Sequence, residues 1–186
     1  GIGAGIDKAG KYTWDGISNL VVDLSWNNPS IPTNLQVKRG NLALGSGLFS
    51  DSPFSLDLSN NAHIRLDTTD FSSIRNELTI SFWVRGNEEQ MPISTTILYG
   101  YDANPGNRHL NIHLPHSSNN VYFDAGFSAG SYDRINKIAS ASEQGGQWNH
   151  WVFTKNSQTG IMKIFLNGKL WHSGTGKTKP FNILNL

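Results

Sequence analysis

Three histidines fall within eight residues in the stretch RHLNIHLPH, at His109, His113 and His116. Side chains alternate along an extended strand, so His109 and His113 are expected on one face, about two pleats apart. A zinc site begins with imidazoles placed this way, but it needs a third or fourth converging ligand, and none stands out. Polar edge residues are the plainer reading. Just upstream, YDANPGN puts Asp102, Asn104 and Asn107 on one short loop. Clustered carboxylate and amide oxygens suit a hard cation such as calcium, with Asp102 and Asn104 as the candidate ligands, although the spacing is not that of an EF-hand. The same residue types are ordinary turn formers. A retaining glycosidase would need two carboxylates about 5 Å apart, commonly on alternate residues of one strand, and no such run occurs. Glu88-Glu89 sit in a polar loop as solvated charge. The chain has no cysteine, which removes thiol catalysis, disulfides and Cys-ligated zinc. GSG and GTGK do not lead from a strand into a helix, so they are turns and not phosphate cradles.

The elements that must carry these residues are strands. Short runs rich in Val, Ile, Phe, Trp and Thr recur between Gly, Asn, Ser and Pro clusters, and helical periodicity is hard to find. LTISFWVR alternates, with Leu78, Ile80, Phe82 and Val84 on one face and Thr79, Ser81, Trp83 and Arg85 on the other. Further strands are expected at Leu20–Leu24, Ser55–Leu58, His63–Leu66, Thr96–Tyr101, Leu110–Leu114, Val121–Ala125, His150–Lys155, Met162–Leu166 and Lys169–His172. Such a set suits an all-β, two-sheet antiparallel sandwich. In IMKIFLNGKLW, Asn167-Gly168 supplies the positive φ angles of a two-residue type I′ turn, which predicts a hairpin. Residues 1–16 read as an arm or linker and 17–186 as the sandwich domain, with GSGLFSDSPF, ANPGN, LPHSSNN and SASEQGGQ as loops.

A chain of 186 residues is long enough to bury a core without staples. Its net charge of +1 comes from scattered basic residues, so the footprint of a nucleic-acid binder is absent and no nucleic-acid partner is expected. No apolar stretch reaches the roughly 20 residues of a membrane span. The start, GIGAGIDKAG, has neither an initiator Met nor a secretory signal, as expected of a processed, excised or recombinant chain.

The segment GQWNHWVFTKNSQTGIMKIFLNGKLW, residues 146–171, resembles the laminin-G-like pattern of Trp, His two residues on, Phe-Thr, a turn, and a strand ending in Asn-Gly. LTISFWVRG and SPFSLDLSNNAHIRLD are similar to that family's earlier strands. The resemblance implies a concanavalin A-like jelly roll working outside the cell, on a cell surface or on a virion, often with calcium at loop ends. It also implies noncatalytic binding of a glycan or surface ligand through loops at one rim. The residues there with stacking or polar ability are Tyr101, Asn107, Arg108, His116 and Tyr132, with Trp171 divided between stacking and packing. Trp83, Trp148 and Trp151 are expected in the core, Trp148 together with Leu78, Ile80, Phe82 and Val84.

Two alternatives stand beside this reading. One is a structural domain of a fibre, capsid or adhesin. The other is a polysaccharide lyase of the alginate lyase type, whose Arg-x-Glu-Leu, Gln-Ile-His and Tyr-Phe-Lys-Ala-Gly strands resemble Arg75-Asn76-Glu77-Leu78, Asn111-Ile112-His113 and Tyr122-Phe123-Asp124-Ala125-Gly126. Asn111 and Asp124 depart from that pattern, and Asp124 works against the basic cleft an anionic substrate wants. Laminin-G-like domains also continue with a further strand or two after the place of KTKPFNILNL, whereas this chain stops at Leu186. An open edge invites pairing. The expected occupant is the strand Leu20–Leu24, or else a downstream strand or neighbouring chain by strand addition.

Overall fold

Alternation of buried and more exposed residues is clearest in the strands Glu77–Arg85 and Trp148–Asn156. The computed structural model describes strand segments at 5–6, 12–13, 36–39, 43–49, 52–57 and 63–65, then residues 71–86 and 96–186. The chain divides into two units, 1–69 and 70–186. In the first unit, β1 (Gly5–Ile6) pairs with β2 (Tyr12–Thr13), β3 (Gln36–Arg39) with β6 (His63–Arg65), and β4 (Ala43–Phe49) with β5 (Ser52–Asp57), all antiparallel. GSGLFSDSPF, expected as a loop, is thus largely the β4–β5 hairpin; its serines and glycines hid the period. The expected strand Leu20–Leu24 lies outside the described residues.

The second unit is a two-sheet antiparallel sandwich. One sheet has the order β11-β10-β9-β8, from β8 (Thr96–Tyr101), β9 (Arg108–His116), β10 (Asn120–Ser128) and β11 (Ser131–Ile138). The other has the order β14-β13-β12-β7, from β7 (Glu77–Arg85), β12 (Trp148–Asn156), β13 (Ile161–Leu166) and β14 (Lys169–Gly174). Leu110, Ile112, Val121, Phe123, Trp151, Phe153, Met162 and Ile164 fill the space between them and are fully buried. Phe123 and Phe153 meet across the gap edge to face, their centroids 5.3 Å apart, the geometry that aromatic quadrupoles favour. The expected Asn167-Gly168 turn joins β13 to β14, with φ of 49° and 77°.

Three expectations about orientation are corrected. Trp148 and Trp151 are three residues apart, an odd number, so a period of two sends them to opposite faces. Trp151 is fully buried, while Trp148 is half-buried on the outer face, opposite Arg85 and next to the register pair His150 and Trp83. Trp83 is on that outer face too, stacked on His150 at 4.8 Å. The pair His109 and His113 does not share a face. The β8–β9 register slips between Gly100 and Tyr101, giving β9 an extra residue at His109. Such a bulge re-aims the side chains beyond it.

KTKPFNILNL crosses one end of the sandwich, bonding in turn to β10, to Arg75 just before β7, and to the end of the edge strand β8, where Asn185 forms an isolated antiparallel bridge with Tyr101. Phe127 N–H donates to Pro180 O at 3.0 Å, Phe181 N–H to Arg75 O at 2.7 Å, and Tyr101 N–H to Asn185 O at 3.0 Å. Phe181 and Ile183 are buried. Gly126, bulged at φ 75°, allows this passage, because a Cβ there would lie 2.0 Å from Lys179 O. Lys155 locks the same end from the facing sheet by donating to Asp133 Oδ2 at 2.7 Å and Ala125 O at 2.6 Å. Burial pushes its ammonium pKa down, and Asp133 opposes the shift.

Candidate functional site

The outer face of the β8–β11 sheet gathers the side chains with the most chemistry. Leu110, Ile112, Val121, Phe123 and Ala125 point to the core, so Asn111, His113, Tyr122 and Asp124 must point out. Asn111 pairs in register with Asp124, and His113 with Tyr122. On β11 the same alternation turns Tyr132, Arg134 and Asn136 outward while Asp133 and Ile135 are buried.

Asp124 organises this face. Its carboxylate is fully buried, yet it carries two guanidinium groups. Arg134 donates through Nε to Oδ1 at 2.5 Å and through Nη2 to Oδ2 at 2.8 Å, a bidentate pair. Arg108 donates through Nη1 to Oδ2 at 3.1 Å. Hydrogen bonding to Asp124, the largest cause, raises the Arg134 pKa. Asn111 Nδ2 completes the set at 3.5 Å, while the buried Asn111 Oδ1 has no hydrogen-bond partner.

Tyrosines frame the two arginines. The Tyr132 ring has the Arg108 guanidinium 5.2 Å from its centroid and that of Arg134 5.0 Å away. Tyr122 receives Arg134 at 4.5 Å, and Tyr99 receives Arg108 at 5.9 Å. Both arginines are thus held by charge and by cation–π contact. Next to Tyr122 the rings of His113 and His116 lie 4.6 Å apart. Another register slip, between Asn120 and Tyr122, brings His116 to this cluster.

Of the sequence candidates, Arg108, His116 and Tyr132 come together here. They lie on strands and not on the loops expected for them. Tyr101 ends β8, its ring 5.7 Å from Tyr99 and its backbone bonded to Asn185. Asp102, Asn104 and Asn107 share their loop and bond one another. Asp102 Oδ1 accepts from Asn104 N–H at 2.8 Å, and Asn107 Nδ2 reaches both carboxylate oxygens, at 3.2 and 3.1 Å. His109 Nε2 stands 3.2 Å from Asp102 Oδ2, and its Nδ1 accepts from Asn182 N–H at 3.1 Å. The Asn104 bond, ahead of the opposing effect of burial and the help of Asn107 and His109, holds the Asp102 carboxyl below its usual range. A cation here would have to displace these donors. No group of three or more His, Asp or Glu side chains placed to hold a metal ion occurs among the described residues.

Trp171 lies away from this face. Its ring meets Trp151 edge to face at 5.2 Å and its indole N–H donates to Glu143 Oε1 at 2.8 Å. Burial pushes the Glu143 carboxyl up, but the bonds from Ser140 and Trp171 outweigh it and hold the group low. The sequence reading missed Tyr99, Tyr122 and Arg134 as site residues, and it missed β11 altogether. The available signal was the alternation Tyr132, Arg134, Asn136 following Ala129-Gly130, a two-residue turn with φ of 51° and 73°.

The three lyase-like strings divide between the sheets. Asn111, His113 and Tyr122 are neighbours on the outer face. Glu77 is on β7 in the other sheet, where it accepts from Asn156, and Arg75 donates to Asn182.

Comparison with known proteins agrees with this architecture. Domain 4 of the extracellular GH43 arabinanase AbnA from Geobacillus stearothermophilus, solved with arabinotriose, superposes with a TM-score of 0.57 at 21% identity, over 80% of this chain and 69% of that one. The botulinum neurotoxin serotype G binding domain gives 0.56 at 16% identity, over 76% of this chain and 37% of that one. The binding domain of Paraclostridial Mosquitocidal Protein 1 gives 0.57 at 19% identity, over 81% and 37%. The chain therefore spans well under half the length of the two toxin binding domains. No curated protein matches the sequence. The family model for the concanavalin A-like lectin/glucanases superfamily, of the laminin G type, matches residues 58–185, well over half the chain. The chain belongs to the concanavalin A-like lectin/glucanase superfamily.

Proposed function

We propose that this chain is a noncatalytic glycan-binding module acting outside the cell or on a particle surface, and that the glycan lies on the outer face of β8–β11. The observation that carries the reading is the group of three half-exposed tyrosines, Tyr99, Tyr122 and Tyr132, around two arginines fixed on the buried Asp124. A sugar ring has an apolar C–H face that suits an aromatic ring and a rim of hydroxyls that needs fixed polar partners. Holding the arginines beforehand lowers the ordering cost of binding. The arabinotriose held by the similar arabinanase domain supports a glycan as the ligand class. Noncatalytic binding is supported by the state of Asp124. It is the face's own carboxylate among the described residues, fully buried and paired twice, whereas glycoside hydrolysis takes two available carboxyl groups.

A glycan array probed with the intact chain and with a Tyr132→Ala variant tests this. Retained signals on a small set of glycans that fall in the variant are expected. Silence across the array would favour a structural or assembly role. The closeness of His113 and Tyr122 favours the lyase as a second reading, because a base and a phenol side by side could move protons in an elimination. An absorbance assay for unsaturated sugars on alginate should remain flat; cleavage that disappears in His113→Ala would establish the lyase instead.

A further inference from the structure

Building on the glycan reading above, we infer that the sugar taken by this face is acidic and that Arg108 and Arg134 read its carboxylate or sulfate. Two guanidinium charges meet one carboxylate, so the cluster keeps one positive charge after pairing. Burial decides which charge a ligand meets. Asp124 is 0% exposed, whereas the arginine side chains are 31% and 35% exposed. A ligand on this face therefore meets guanidinium and not carboxylate.

The donors remain in supply as well. Of the five N–H groups in a guanidinium, Arg134 gives two to Asp124 and Arg108 gives one. Both guanidinium groups also stand near the Tyr132 ring, 5.2 and 5.0 Å from its centroid, which restricts where the remaining donors can point. Planar donors at fixed positions match the paired oxygens of a carboxylate or sulfate better than they match single hydroxyls. The other carboxylates on these strands and their loop do not oppose an anion. Asp133 is turned to Lys155, and Asp102 to Asn107 and His109. His113 and His116, near Tyr122, add no carboxylate to the face.

The test uses the intact chain and three versions of one oligosaccharide backbone: neutral, oxidised to the uronate, and sulfated. Titration calorimetry should give at least about tenfold tighter binding for an acidic version than for the neutral one, with the ratio shrinking as salt rises and screens the contact. Preference for uronate or for sulfate identifies the anion, and either supports the inference. Arg108→Gln and Arg134→Gln, made singly so that the other guanidinium still covers Asp124, should each bring the acidic-to-neutral ratio toward one. Thermal unfolding of each variant checks that it is folded. A neutral sugar bound as tightly as its acidic versions would overturn the inference and leave the glycan reading standing. An acidic preference that survives both substitutions would overturn the assignment to these residues. Binding of none of the three, together with a silent array, would overturn the glycan reading itself.

Discussion

The two sheets of the sandwich show water different surfaces. The outer face of β8–β11 holds arginine, tyrosine and histidine around a buried aspartate, and each of these side chains has a charge, ring or hydrogen-bond neighbour on the same face. The outer face of β7 and β12–β14 carries Trp83 stacked on His150, with Trp148, Val152, Phe165 and the exposed Leu170. Both faces are rich in aromatics, so aromatic content alone does not distinguish a binding surface from a packed one. What distinguishes the first is that a buried charge fixes its polar groups in position. The second carries more apolar bulk, with Ser81 Oγ and His150 Nε2 in contact at 2.8 Å among its described residues.

The largest effect expected concerns tryptophans of opposite phase on one strand. Trp151→Ala should cost about 3–5 kcal/mol, the usual penalty for truncating a buried aromatic, and Trp148→Ala no more than about 1.5 kcal/mol, since it lies on the outer face and is only partly buried. Denaturant titration of the two variants measures the difference, and equal losses would show that the strand phase is misassigned. Next in size, Tyr132→Ala should weaken glycan binding by about tenfold, equivalent to about 1.4 kcal/mol. Trp148→Ala should leave binding unchanged, so affinity separates the faces where stability does not.

A smaller effect concerns pH. The folded Asp102 carboxyl titrates below its ordinary 3.8, so between the folded and unfolded values the unfolded chain binds more protons. Its stabilisation is complete above about pH 3.8 and is lost as pH falls through the folded value. Asp102→Asn should therefore be less stable than the native chain by about 1 kcal/mol at neutral pH, and the gap should close in acid. A gap that is constant from neutral pH to acid would disprove this. Smallest is calcium. An ion must displace Asn107 and His109 from Asp102, so about 1 mM calcium, the range of weak extracellular sites, should raise Tm by less than about 1 °C. A shift of several degrees that vanishes in Asp102→Asn would assign the ion to this loop.

Much of the second unit was legible in the sequence, for physical reasons that also mark the limits. Alternation exposed β7, β9, β10, β12 and β13, and Asn167-Gly168 announced its hairpin, since period and turn chemistry are local. β11 escaped because SYDRINKI mixes Asp133, Arg134 and Lys137 with few apolar residues, and the burial of Asp133 against Lys155 is a long-range pairing. His109 was placed on the wrong face because a bulge shows itself only in the partner strand's register. Asp124 was weighed as an obstacle to a basic cleft. Its role as the anchor of two arginines depends on Arg108 and Arg134, on the strands to either side of it, and no local pattern reports that.

The central claim is that the glycan binds on the β8–β11 face, and one comparison of binding isotherms tests it most directly. A glycan identified on the array is titrated into the intact chain, into Tyr122→Ala/Tyr132→Ala, and into Trp83→Ala/Trp148→Ala, each confirmed as folded by thermal unfolding. The account predicts that the tyrosine pair loses nearly all binding and the tryptophan pair none. Binding that survives in the tyrosine variant and disappears in the tryptophan variant would contradict it and move the site to the opposite sheet.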